Sequence, residues 1–455
     1  MPKTCRLNII MFMKSVFGIK LSTFQIIIAG FLGLILLGTL ILMQPFSVKG
    51  GVGASFGDAL FTAVSAVCVT GLVVQDTASY WSTFGQAVIL VLIQIGGLGI
   101  VSVAAFIATI SGRKIGLLER SILQDSLSAH QIGGVVKMTG FIFKIAFVCE
   151  LSGALLVLPG FYKAFGNKGI FVSFFHSVSA FCNAGFDIMG DKTGAFSSLS
   201  AFSSDFSIII PTCLLIIAGG IGFLTWDDMA TNKFHLKKYR LQSKIILVSS
   251  AFLILVPALI LFFTEFVSVP LGERICLSLF HAVTPRTAGF NTADMAAMNG
   301  TGQVLTGVLM LIGGSPGSTA GGMKTTTAAV LFITTASVIR RKKSSQLFGR
   351  RMEAAAIRTA AALLMMYLTL TFTGAFIISI AEKLPMGSCL FECASAIGTV
   401  GLTLGITPTL GPLSRAVLEA LMFLGRVGGL TLMYAAVNSR ETDPSQYPVE
   451  KISLG

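Results

Sequence analysis

Long apolar stretches separated by short polar segments run along the whole chain. A helix that crosses a membrane needs about 20 mostly apolar residues. The chain contains such stretches at residues 22–46, 82–111, 134–160, 203–226, 244–266, 302–338, 356–381 and 412–437. The pattern predicts an all-α polytopic membrane protein with eight transmembrane helices.

A second pattern recurs four times, once between the two spans of each successive pair. Each copy is a short apolar run that starts with phenylalanine and ends in a glycine turn. The copies are FTAVSAVCVTGL (61–72), FHSVSAFCNAGF (175–186), FHAVTPRTAGFN (280–291) and FECASAIGTVGL (391–402). A recurrence at a period of about 110 residues indicates internal duplication.

Each repeat is predicted to contain an outer helix, a re-entrant pore helix, a filter turn and an inner helix. Two spans per repeat make all four repeats enter the membrane in the same direction. Parallel repeats suit a pseudo-fourfold pore, whereas a rocking transporter for an organic or anionic solute typically has inverted repeats. The predicted domains are a cytoplasmic N-terminus (1–21), four repeats (22–111, 134–226, 244–339 and 354–438) and a cytoplasmic C-terminal tail (439–455).

Charge sets the predicted orientation. The chain has 33 lysines and arginines against 20 aspartates and glutamates. The positive-inside rule places basic loops, and with them both termini, in the cytoplasm. The basic residues after the second, fourth and sixth spans are Arg113, Lys114, Arg120, Lys233, Lys237, Lys238, Arg240, Arg340, Arg341, Lys342, Lys343, Arg350 and Arg351.

Composition excludes a soluble enzyme, because 54% of the residues are hydrophobic and only 12% are charged. The eight cysteines show no CxxC spacing, so we expect neither disulfides nor a metal site. Paired carboxylates and nucleophile motifs are lacking in the sequence, and we expect no enzyme activity. A purely structural or receptor protein would give no reason for four re-entrant turns.

The four glycine turns are predicted to form an ion filter from backbone oxygens. Glycine permits backbone angles that are closed to other residues, so that consecutive carbonyls can face one centre. A ring of carbonyls can replace the water shell of a monovalent cation. The predicted filter residues are Val69, Thr70, Gly71, Asn183, Ala184, Gly185, Thr287, Ala288, Gly289, Thr399, Val400 and Gly401.

Three carboxylates follow the first three filter turns: Asp76, Asp187 and Asp294. At the outer mouth of a pore they would raise the local cation concentration and repel anions. The alternative is that they are ordinary solvated surface acids.

The sixth span is longer than one straight crossing needs and contains GGSPGSTAGGMKTTT over residues 313–327. Proline and glycine break helices, which predicts a mobile gating loop below the filter; a kinked helix without a gating role is the alternative. A phosphate-binding loop is excluded because Met323 separates Gly322 from Lys324. The predicted gating residues are Gly313, Gly314, Ser315, Pro316, Gly317, Ser318, Thr319, Ala320, Gly321, Gly322 and Lys324.

Glycine clusters also recur in the inner helices, and the fourth cluster contains Arg426. A charge at membrane depth is costly and by default marks a functional site. Arg426 is predicted to act as a positive barrier in the pathway or as a latch on the gating loop. A structural ion pair with Glu419 is the alternative.

These motifs resemble the Trk/Ktr/HKT superfamily of potassium transporters. The resemblance rests on SAVCVTGL, SAFCNAGF, TPRTAGFNT and SAIGTVGL, on GGSPGSTAGGMKTTT, which is similar to the family's intramembrane gating loop, and on the arginine-bearing cluster 425–429. Eight spans without an additional N-terminal pair resemble the Ktr branch. The family resemblance implies potassium uptake across the bacterial plasma membrane, with K⁺ bound at the filter glycines.

The resemblance also implies partners. Members of this family form homodimers with one pore per subunit, and a cytoplasmic ring of KtrA-like RCK-type subunits, which bind ATP and ADP, regulates them. No cofactor is then expected in this chain. A serine in the first filter of the family accompanies sodium selectivity, so Gly71 favours potassium. Sodium stimulation is left open.

Overall fold

The structure is a computed structural model that describes residues 22–113, 115–127, 134–233, 235–342, 344–429, 431 and 450. The predicted N-terminal segment (1–21) lies outside the described residues, as do Lys114, Lys343 and the C-terminal tail apart from Glu450. The described chain is almost entirely helical. The exception is a short antiparallel pair, β1 (Gln346–Leu347) and β2 (Arg350–Arg351).

The first two repeats follow the predicted order of elements. Repeat 1 contains α1 (Thr23–Leu42), the pore helix α2 (Phe56–Val67), α3 (Thr77–Tyr80), α4 (Thr83–Leu98) and α5 (Ile100–Ile110), and α6 (Leu117–Leu127) follows it. Repeat 2 contains α7 (Val135–Phe165), the pore helix α8 (Lys168–Phe181), α9 (Gly190–Thr193), α10 (Phe206–Gly220) and α11 (Phe223–Asn232).

The last two repeats contain fewer helices. Repeat 3 contains α12 (Leu241–Thr264), the pore helix α13 (Leu271–Val283), α14 (Gly300–Leu311) and α15 (Thr325–Ile339). Repeat 4 contains α16 (Ala354–Glu382), the pore helix α17 (Met386–Gly398) and α18 (Pro412–Val427). Single 3₁₀ turns lie at Pro45–Ser47, Ser200–Phe202, Leu236–Lys238 and Thr407–Thr409.

The outer helices α1, α7, α12 and α16 are each long and apolar enough to cross a membrane. In their most apolar windows only 28–33% of the residues are buried inside the protein. Their remaining faces are exposed and mostly apolar, which suits contact with lipid. These four helices therefore surround the pore helices.

The predicted spans 82–111 and 203–226 each contain a sharp bend, which the sequence pattern did not predict. Helices α4 and α5 meet at 94°, and helices α10 and α11 meet at 96°. The bends occur at Gly99 and Gly222, whose φ angles are 87° and 95°. Other residues rarely adopt these angles, so a glycine at each position allows the chain to turn.

The pore helices form the centre of the packed core. Phe61, Phe175 and Phe280, which open the first three motifs, are fully buried, and Phe391 is 5% exposed. The half of each pore helix that leads into the filter turn is buried on all sides, whereas Phe56, Ile170 and Leu271 near the helix starts are exposed. The core thus holds the four turns that follow the pore helices.

Candidate functional site

The four predicted filter turns meet in a closed ring. A Cβ atom added at Gly71 would lie 2.5 Å from the carbonyl oxygen of Ala184, and one at Gly185 would lie 2.6 Å from that of Ala288. Added at Gly289 or Gly401, it would overlap the carbonyl oxygens of Val400 and Thr70. Each repeat therefore touches the next, and the fourth touches the first.

Every turn has the same backbone conformation, with two left-handed residues separated by one other. The first left-handed residues are Val69, Asn183, Thr287 and Thr399, with φ between 50° and 73°. The second are the glycines Gly71, Gly185, Gly289 and Gly401, with φ between 69° and 96°. A left-handed non-glycine residue costs about 1–3 kcal/mol and persists where the surrounding structure imposes it. Its fourfold recurrence indicates one imposed geometry.

The N–H groups of the turns bond back to the pore helices. The residue before each filter glycine donates its N–H to a pore-helix carbonyl four or five residues earlier, at distances of 2.7–2.9 Å. The carbonyls that accept these bonds belong to Ser65, Ser179, Thr284 and Ser395. The filter side chains are fully buried or nearly so. These bonds hold the backbone of each turn against the end of its own pore helix.

The hydroxyl groups of these same four residues also hold the turns, a role that sequence reasoning missed. Ser65 and Ser395 accept the N–H of Gly71 (3.1 Å) and of Gly401 (3.0 Å). In the other two repeats, Ser179 and Thr284 each donate at 2.7 Å to the carbonyl of the phenylalanine that follows the filter glycine. The signal was present in the sequence as a hydroxyl residue at the same position of every copy.

The three aspartates of the predicted outer mouth have different surroundings. Asp76 is 7% exposed and its carboxylate caps α3 through Ser79 (2.8 Å) and accepts the N–H of Phe196 (2.9 Å). It therefore joins the outer segments of repeats 1 and 2. Asp294 is exposed and accepts the N–H of Ala296 at 2.9 Å.

Asp187 is half-buried, two residues after its filter glycine, and accepts the N–H of Met189 at 3.2 Å. Burial raises the pKa of the Asp187 carboxyl to about 7; the bond from Met189 opposes the rise, and the charge of Asp76 adds to it. This carboxylate changes its charge near neutral pH.

The predicted gating loop is irregular from Ile312 to Lys324, so the sixth span is a helix broken by a loop rather than a kinked helix. Its two ends meet where the N–H of Gly313 donates to the carbonyl of Met323 at 2.7 Å. Between these ends, Ser315, Thr319, Ala320 and the neighbouring glycines are buried.

Backbone contacts tie the loop to repeats 2 and 4 directly beside the filter. On one side, Ser315 donates its N–H to Gly220 (3.0 Å), and the Thr319 hydroxyl donates to the carbonyl of Phe181 (3.0 Å). On the other side, Gly322 donates its N–H to Gly425 at 3.1 Å. A Cβ atom at Gly321 would overlap the side chain of Thr399, a filter residue. The loop therefore reaches across from repeat 2 to the fourth filter turn.

Arg426 reaches from the fourth inner helix to the loop. Its guanidinium donates to the carbonyls of Thr319 and Gly96, and to that of Gly97 at 2.9 Å. Ion pairs among the described residues do not include Arg426 or Glu419. The side chain thus joins repeat 4, the gating loop and the inner helix of repeat 1.

The inner-helix glycines allow close approach of the pore helices. Added Cβ atoms at Gly96, Gly219 and Gly425 would overlap carbonyls at the ends of the pore helices of their own repeats. A cavity of about 180 Å³ adjoins these inner helices, and its lining includes Asp125, Ser318, Lys324 and Arg426. Gly317, Ser318, Ala320 and Gly322 of the gating loop line this cavity.

Two further charged groups lie within the helical core. Arg286 is 6% exposed and donates to the hydroxyl of Ser250 at 3.0 Å. The Glu150 carboxylate, also 6% exposed, accepts from the amide of Gln94 at 2.9 Å. The sequence had offered no interpretation of Glu150, because its partner lies 56 positions away.

Comparison with known proteins identifies the family of this chain. Residues 20–446 match the family model TrkH, described as a cation transport protein. The chain is 40% identical to the potassium/sodium uptake protein NtpJ of Enterococcus hirae, over 96% of this chain and 98% of that protein. It is 36% identical to the Ktr system potassium uptake protein B of Bacillus subtilis, over 97% and 99% of the two chains.

The fold has a counterpart among solved structures. The crystal structure of the potassium transporter TrkH from Vibrio parahaemolyticus aligns with a TM-score of 0.72 at 21% identity, covering 92% of this chain and 85% of that chain. The match confirms the predicted all-helical polytopic membrane fold, and the family match confirms the resemblance seen in the motifs. The chain belongs to the TrkH family of cation transport proteins.

Proposed function

We propose that this chain takes up K⁺ across the bacterial plasma membrane through a channel-like pore. The observation that carries the proposal is the closed ring in which each filter glycine abuts a carbonyl of the next repeat. Carbonyl oxygens so arranged replace the hydration shell of K⁺. The membrane potential supplies about 2.3 kcal/mol per charge per 100 mV, so that inward movement of K⁺ needs no ATPase in this chain. NtpJ and the Bacillus protein are both named as potassium uptake proteins.

The loop at 313–322 is the proposed gate, and Arg426 is its latch. The loop obstructs the path between the filter and the cavity, held by the N–H groups of Ser315 and Gly322, which donate to the carbonyls of Gly220 and Gly425. Arg426 adds charge-assisted bonds, which are stronger than neutral ones. Opening requires these bonds to break together.

The proposed assembly is a homodimer with one pore in each subunit and cytoplasmic termini. A KtrA-like ring of RCK-type subunits, which would carry ATP or ADP, is the proposed regulator. The similarity to a protein named as part of a Ktr system supports such a partner. Na⁺ is proposed as a stimulating ion because a relative is named for both cations.

Ion flux into lipid vesicles tests the proposal directly. The purified protein is reconstituted, an inside-negative potential is imposed, and uptake of rubidium, K⁺ and Na⁺ is measured with and without external Na⁺. We expect K⁺ and rubidium uptake to exceed Na⁺ uptake. Uptake of an organic or anionic solute without K⁺ flux would contradict the proposal and favour a rocking transporter.

The outer carboxylate Asp187 is expected to make K⁺ uptake pH-dependent. Because its pKa lies at about 7, the group is mostly neutral below that pH and negative above it. A negative charge near the outer mouth raises the local K⁺ concentration. We therefore expect the KM for external K⁺ to fall about twofold as the external pH rises through 7. Asp187→Asn should flatten this profile, and an unchanged slope in that variant would assign the dependence to another group.

A further inference from the structure

The residue that follows the first phenylalanine of each motif differs between the repeats. The position holds Thr62, His176, His281 and Glu392, and none of the four is more than 1% exposed. A buried carboxylate is costly unless hydrogen bonds satisfy it. Glu392 therefore differs in kind from its three counterparts.

Glu392 is bonded to the segment that directly follows the fourth filter turn. One carboxylate oxygen accepts the hydroxyl of Thr403 (2.6 Å) and the N–H of Leu404 (3.0 Å), and the other accepts the hydroxyl of Thr407 (2.7 Å). The Thr403 hydroxyl also accepts the N–H of Gly405 at 2.9 Å, so that its own proton is directed to Glu392. Both oxygens are thus engaged by one short stretch of chain.

The other repeats hold their outer segments differently. Repeats 2 and 3 are linked to each other, since Leu199 donates its N–H to Asn291 (2.9 Å) and Asn291 donates to the hydroxyl of Ser198 (3.1 Å). The hydroxyl of Thr62 has no hydrogen-bond partner among the described residues. In repeat 1, Asp58 of the pore helix accepts from Gln75 at 3.3 Å. At the position of Glu392 itself, bonds to the segment after the filter turn are seen only in the fourth repeat among the described residues.

We propose that Glu392 is a positioning residue: it fixes the fourth filter turn and thereby helps the filter to prefer K⁺ over Na⁺. The inference rests on the proposed potassium pathway. The pore helix carries Ser395 and Glu392 one turn apart; the first holds Gly401, and the second holds the segment Thr403–Thr407. The fourth turn is thereby fixed on both sides of its glycine.

The consequence for ion choice follows from the size of the cage. Discrimination between K⁺ and Na⁺ depends on the number and placement of the coordinating carbonyls. If one of the four filter turns becomes less rigid, its carbonyl oxygens can move toward the centre of the ring and coordinate the smaller Na⁺. Loss of the Glu392 bonds is therefore expected to weaken K⁺ binding and to admit Na⁺.

The test compares Glu392→Ala and Glu392→Gln in reconstituted vesicles. Alanine removes all three bonds, and we expect the KM for K⁺ to rise about tenfold and the K⁺-over-Na⁺ flux ratio to fall about tenfold. Glutamine can accept through its oxygen and donate to Thr407 through its amide, so both values should stay within about threefold of wild type. Thr62→Val at the equivalent position of repeat 1 is the matched control and should match wild type.

The outcomes separate the inference from the function on which it rests. Absence of K⁺ flux in the wild type would contradict the proposed function itself. Unchanged KM and flux ratio in Glu392→Ala, or a glutamine variant as impaired as alanine, would overturn the positioning role. If Glu392→Ala does not assemble, Thr407→Val removes one bond and keeps the carboxylate. That variant should shift both values in the same direction, and no shift would also overturn the role.

Discussion

Replacing Gly289 by alanine is expected to lower the preference for K⁺ over Na⁺ at least about tenfold. The new Cβ would overlap the carbonyl oxygen of Val400, and the residue has φ 77°, which alanine disfavours. The third and fourth turns must then separate, which displaces the carbonyls that discriminate between ions. The measurement is the ratio of K⁺ to Na⁺ flux into vesicles.

Gly300→Ala is the matched control for this substitution. Gly300 begins α14 in the same repeat, and nothing lies within 4 Å of the position its Cβ would take. Alanine is a better helix former than glycine, so this variant should keep the wild-type ratio and at least wild-type stability. A Gly289→Ala protein that assembles and keeps the wild-type ion preference would show that the filter assignment is wrong.

Deleting residues 316–320 is expected to raise K⁺ flux about tenfold or more without changing ion preference. The deletion removes the part of the loop that carries the Thr319 carbonyl, to which Arg426 donates, and the Thr319 hydroxyl bond to Phe181. The filter turns themselves keep their bonds to the pore helices. Flux and the K⁺-over-Na⁺ ratio, measured in the same vesicles without the regulatory subunit, distinguish gating from selectivity.

Arg426→Met tests the latch in the same assay. Alone, it should raise flux less than the deletion does, because the backbone bonds of the loop remain. Combined with the deletion, it should add little, because residues that act through one contact are not additive. Lys144→Met removes a charge from the exposed face of α7 and should leave flux unchanged. Flux in the deletion variant that equals wild-type flux would remove the gating role of the loop.

The recurring motifs made the fold class and the family predictable. Each copy opens with phenylalanine and reaches its glycine about ten residues later, with the third copy one residue shorter, so duplication was visible without any knowledge of contacts. The family identification is confirmed by the match over residues 20–446. The assignments of the filter, the gate and the outer mouth stay predictions. The variants described above were chosen from the contacts of these residues and test the assignments.

Other features depended on partners that are distant in sequence or on backbone angles. The bends at Gly99 and Gly222 were missed because an apolar run with glycines is equally compatible with a straight helix, and only φ distinguishes the two. Asp76 was considered only as an outer-mouth acid or a solvated surface acid, but it accepts the N–H of Phe196, 120 positions away. The role of Glu392 required knowing that the chain after Gly401 folds back onto its own pore helix.

The ring of four turns is encoded in a single polypeptide, and this affects how such a pathway can diverge. In a tetramer of identical subunits, one mutation would introduce four acidic groups around the centre at once. Here the four repeats lie in one chain, and each can mutate independently of the others. The equivalent position accordingly holds threonine in one repeat, histidine in two and glutamate in the fourth. A single substitution can therefore change one side of the ion pathway and leave the other three as they were.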